Sequence, residues 1–141
     1  MKWIKYTGHP VLVMSLYLLL LIEGAHFGGF FLLYLLMSLS VGALFAVTAL
    51  IGLLIVFIGY KIYRKNPHPI KPILYILGFV IMIIALLIFF ERKERLETFE
   101  TTIPTFTFVL FGIVSLAYII NAFLLLRKSI FYRNDSFKMI A

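Results

Sequence analysis

The chain has 141 residues, 63% of them hydrophobic, and a mean hydropathy of +1.08, where soluble domains run about 45–50% apolar; so much apolar surface cannot be hidden from water in a fold of this size. Cysteine is absent, which excludes disulfides, thiolate metal sites and lipidated cysteine anchors. Net charge is +7, from 13 Lys+Arg against 6 Asp+Glu, but the basic residues flank apolar runs, so they read as topology signals and lipid-headgroup contacts, and nucleic acid is not expected as a partner.

The pattern predicts an all-α integral membrane protein: a four-transmembrane-helix bundle with a short interfacial or re-entrant helix after the first span. The first span is expected over about 4–23. Val11 to Ile22 is too short to cross about 30 Å of hydrocarbon. Extension back to Ile4 supplies the length, with Lys5 reaching the headgroups along its aliphatic stem. Lys2, Lys5, the apolar run and Gly24-Ala25 also spell a signal peptide, but Glu23 stands where cleavage wants a small neutral residue.

Gly28-Gly29 predicts a break, and about 28–38 is expected as a short helix lying at the outer surface or dipping in and back. The alternative, one helix from Phe30 to Tyr60, would be about 46 Å long and overshoot a bilayer unless strongly tilted. The second span is expected over 39–60, closed by Lys61, Arg64 and Lys65. The third is expected over 72–91, because Pro72 is tolerated in a first helical turn and Ile73 to Phe90 carries no charge. A helical extension over about 91–100 follows from Glu91 and Arg95, four apart. The fourth span is expected over 105–126, closed by Arg127 and Lys128, with a mobile polar tail around Asn134-Asp135-Ser136.

Four spans with the N-terminus inside place ten basic residues in inner segments: Lys2, Lys5, Lys61, Arg64, Lys65, Lys71, Arg127, Lys128, Arg133 and Lys138. Only Arg92, Lys93 and Arg95 fall outside. That asymmetry satisfies the positive-inside rule and puts both termini in the cytoplasm. Short loops and a direct N-terminal span suit a bacterial plasma (inner) membrane.

In lipid, helices associate by close packing and hydrogen bonds, so small and polar residues mark contact faces. Ser38, Gly42, Ala46 and Ala49 recur at helical spacing, with Gly52 and Gly59 on a nearby face. Gly112 and Ser115, with Ala122, make a weaker stripe on the fourth span. Asn121 suits an interhelical hydrogen bond. These faces serve packing within the chain or against a homo-oligomer or membrane-protein partner.

The polar-site candidates are Glu23 and His26. Three residues apart, they would share a helix face, and such a pair can share a proton or contribute metal ligands. Two ligands do not make a zinc site, and no cofactor is expected. At the protein surface Glu23 is simply hydrated and His26 bonds an orphan carbonyl at the helix end. The size, the span count and the lone glutamate of the first span resemble the small multidrug resistance transporters in architecture. That resemblance implies proton-linked transport by a dimer. In that family the glutamate lies well inside the bilayer, whereas Glu23 is predicted near the outer surface. The leading expectation is a non-enzymatic accessory or scaffold component of a membrane complex. Proton-linked transport is the first alternative, and a Glu23/His26 metal or proton site the second.

Overall fold

A computed structural model of the chain describes residues 6–22, 28–62, 70–91 and 102–138. Among these residues are five helices and one two-stranded antiparallel sheet. In chain order they are α1 (Pro10–Leu18), β1 (Leu21–Ile22), β2 (Gly29–Phe30), α2 (Phe31–Leu39), α3 (Leu44–Ile62), α4 (Ile70–Phe90) and α5 (Thr102–Lys138). Three of them, α3, α4 and α5, are long and apolar enough to cross a membrane.

The first segment differs from the continuous helix expected over 4–23. His9 caps α1, its Nδ1 accepting the Val11 amide at 3.3 Å, and Pro10 opens the helix with a fixed φ and no orphan N–H. The helix stops after nine residues, about 13 Å, and the backbone turns extended. Hydropathy does not distinguish these two shapes. The extended stretch is selected by partners from elsewhere in the chain. The Leu21 amide donates to Thr107 Oγ1 at 3.2 Å, the Phe31 amide donates to the Leu20 carbonyl at 2.7 Å, and β1 pairs with β2.

The single helix from Phe30 to Tyr60 is overturned. α2 ends in a Schellman motif: the Ala43 amide reaches the Ser38 carbonyl, the Gly42 amide reaches the Leu39 carbonyl, and Gly42 stands at φ 69°. The stripe Ser38, Gly42, Ala46, Ala49 is therefore not one helix face. Ser38 belongs to α2, Gly42 to the turn, and Ala46 and Ala49 to α3. At the other end of the chain α5 runs through Arg127 and Lys128 to Lys138, 37 residues. Charge ends an apolar span without ending a helix, so Asn134-Asp135-Ser136 is helical rather than a loose tail. The expected extension over 91–100 lies outside the described residues beyond Glu91.

The tightest pairing is between α3 and α4. Buried positions on α3 are Phe45, Ala46, Ala49, Gly52, Val56 and Gly59; on α4 they include Tyr75, Gly78, Phe79, Met82, Ala85 and Phe89. Both sets recur every three or four residues, the spacing of helices that cross at a shallow angle. A Cβ on Gly52 would stand 2.9 Å from the Gly78 carbonyl oxygen, and one on Gly78 would stand 2.9 Å from the Gly52 carbonyl oxygen. The backbones touch at this antiparallel crossing because neither residue has a side chain. Gly59 repeats the approach against Leu74 and Tyr75.

Candidate functional site

Four polar side chains in and around the core bond to backbone. Tyr17, fully buried on α1, donates its hydroxyl to the Met82 carbonyl at 3.0 Å. Tyr118 on α5 donates to the Tyr75 carbonyl at 3.2 Å. Asn121 Nδ2 donates to the Gly8 carbonyl at 3.1 Å, tying α5 to the entry of α1. Thr107 accepts from Leu21 and donates to Pro104 in its own helix at 2.7 Å. Each of these bonds satisfies a group that would be costly to leave unpaired in a medium without water. Around Tyr17 lies a layer of rings, with Phe31 and Phe111 beside it and Phe45 and Phe89 beyond Phe31, centroids 5.1 to 6.5 Å apart.

The residues marked in the sequence fall in different places. Glu23 and His26 lie outside the described residues. Ala46, Ala49, Gly52 and Gly59 are buried on α3. Ser38 is half-buried in α2, and Gly42 is exposed in its turn, where an added Cβ would meet nothing within 4 Å. Gly112 is exposed and faces open space, so it does not share the packing face of Ser115 and Ala122. Ser115 is buried, its hydroxyl without a partner among the described residues. Sequence reasoning passes over Gly78, Thr107, Tyr17 and Tyr118. A tyrosine deep in an apolar span must find an acceptor for its hydroxyl, and that is the available signal for the last two.

Contacts also sort the two ends of the bundle. His9 stacks edge-on against Tyr60 at 5.2 Å, Gly8 meets Asn121, and Tyr75 meets Tyr118. At the opposite end Leu21 meets Thr107, Phe90 meets Phe108, and Phe45 meets Phe89. The first end carries Lys61, Lys71, Arg127 and Lys128; Glu91 sits at the second. Among the described side chains no Asp or Glu lies at the first end. Two of the lysines lean over rings, Lys61 over Phe57 and Lys71 over Tyr75, with ammonium groups 5.7 and 5.8 Å from the centroids.

Between α4 and α5 an open groove of about 290 Å³ is lined by Ile76, Phe79, Val80, Ile83 and Ile84 on one side and Tyr118, Ile119 and Ala122 on the other. Its walls are apolar. Among the described residues no three of His, Asp or Glu come together as metal ligands. No protein family, no curated protein and no solved structure matches this chain.

Proposed function

We propose that the protein is a non-enzymatic accessory or scaffold component of a membrane complex. The observation that carries this reading is the use made of four polar side chains, two buried and two half-buried. Tyr17, Tyr118, Asn121 and Thr107 each fasten one segment of the chain to the backbone of another. They do not converge on a shared cleft, and the groove beside them is apolar. Such bonds hold helices together in lipid; a reaction centre needs groups that meet at one point.

In this reading the membrane is crossed four times. Between its contacts with Asn121 and Thr107, the stretch from Gly8 to Leu21 travels about 21 Å along α5. Extended backbone is tolerated at that depth where protein covers it and its polar groups are paired; Leu20 and Ile22 are buried. The end bearing Lys61, Lys71, Arg127 and Lys128 faces the cytoplasm of a bacterial cell, with both termini on that side.

Purification of the full chain in a mild detergent tests the proposal. A defined oligomer or a stoichiometric membrane partner, retained through two chromatographic steps and cross-linkable in the intact membrane, is the expected result. A homogeneous monomer with no cross-linked partner would overturn it.

A further inference from the structure

We propose that α2 is sunk in the hydrocarbon of one leaflet, the leaflet at the Glu91 end of the bundle, with Leu32, Leu33, Leu36 and Met37 against acyl chains. The inference rests on the membrane reading above and adds a lipid contact that the crossings do not supply. The order of residues leaves open whether this helix lies on the surface or dips beneath it. α2 has nine residues, about 13 Å of helix, and cannot cross about 30 Å of hydrocarbon. Its faces are inverted relative to a helix bathed in water. Phe31 and Leu35 are buried, the two polar side chains Tyr34 and Ser38 are half-buried, and every exposed position is leucine or methionine. Leu36 and Met37 are 58% and 76% exposed. A helix resting among headgroups turns lysine and arginine outward, whereas from Gly28 to Tyr60 the chain has no charged residue.

Ring contacts set the depth. Phe31 and Tyr34 meet Phe89 at 5.2 and 5.7 Å, and Phe45, just past the turn that follows α2, meets it at 5.1 Å. Phe89 stands two residues inside Glu91, about 3 Å along α4. The start of α2 and the start of α3 are therefore both held at the edge of the apolar span. The backbone at the end of α2 is also suited to a medium without water, where an unpaired carbonyl is costly. The Met37 carbonyl accepts from the Ser40 hydroxyl at 2.7 Å, the Ser38 carbonyl from the Val41 and Ala43 amides, and the Leu39 carbonyl from the Gly42 amide. Along the chain the exposed apolar positions run on through Val41 and Leu44 to Val47, Ile51 and Leu54 of the α3 crossing. Helices in lipid meet one another on small residues. The large side chains of this face favour acyl chains over a second helix.

The chain has no cysteine, so a single nitroxide reports from one chosen site. Leu33→Cys, Leu36→Cys and Met37→Cys are labelled, reconstituted in phosphatidylcholine vesicles and read by electron paramagnetic resonance. Collisions are measured with oxygen, which concentrates in hydrocarbon, and with a nickel chelate, which stays in water. Ile84→Cys, exposed within α4, is the reference inside the span, and Glu91→Cys the reference at its edge. The ratio of oxygen to nickel collisions is expected to be higher at all three α2 sites than at Glu91→Cys. Helicity by circular dichroism and an unchanged elution volume establish that each labelled chain is folded. Nickel access at the α2 sites equal to that at Glu91→Cys would put the helix in water. Few collisions with either agent would mean that a second copy of the chain covers the face. Either result overturns the inference and leaves the membrane reading standing, provided Ile84→Cys is reached by oxygen and not by nickel. Nickel access at Ile84→Cys would overturn both.

Discussion

Gly52 and Gly112 are both glycines inside apolar helices, and only their surroundings separate them. A methyl group on Gly52 would meet Met82 Cγ at 2.8 Å as well as backbone atoms of Gly78 and Met82 at 2.9 Å, so the two helices must move apart to admit it. Gly52→Ala is expected to lower stability by about 1–3 kcal/mol, the usual cost of overpacking. Gly112→Ala has free space and is expected to be neutral or slightly stabilising, since alanine is the better helix former. Melting of the two variants in the same detergent, followed by loss of the monodisperse peak, decides the matter. Equal effects would mean that α3 and α4 do not cross at this pair.

At the scale of elements, the first segment depends on one threonine that belongs to another helix. Thr107 gives the Leu21 amide its partner where α1 has ended and the chain runs extended. Thr107→Val keeps the shape and removes the acceptor, leaving a donor unpaired, and is expected to cost about 1–3 kcal/mol. Thr48→Val is the matched control, because among the described residues Thr48 donates to the Leu44 carbonyl of its own helix. A stability loss for Thr107→Val no larger than that for Thr48→Val would show that the break in the first segment is held by something else. The turn between α2 and α3 has a local cause, although the sequence pattern places it inside the span over 39–60. It lies at Gly42, whose positive φ suits glycine far better than any side chain.

For the whole molecule, the testable quantity is sidedness. Gly8, Tyr60, Tyr75 and Asn121 come together at the basic end, while Glu91 and the start of α5 stand at the other. Reporters fused at both termini and within residues 63–69 are therefore expected on one face of the membrane, and a reporter within residues 92–100 on the opposite face. Termini on opposite faces would mean that the stretch from Gly8 to Ile22 does not cross, and the chain would then have three crossings.

The three long apolar helices are legible in the order of residues alone, and length argues for a break before the second expected span, though Gly42, which makes the turn, reads there as a residue of a helix face. Apolar length and flanking charge are local properties, written where they act. How the greasy segments are shaped and joined depends instead on contacts between distant parts of the chain. Leu21 and Ile22 are as apolar as the helix before them, and become extended because Gly29-Phe30 pairs with them and Thr107, far along the chain, accepts from the Leu21 amide. Gly78 reads as an ordinary residue of the most apolar span until Gly52 is laid against it. Gly112 carries the same small-residue signal without the contact, because such a stripe marks close packing only where another backbone arrives, and among the described residues none arrives there.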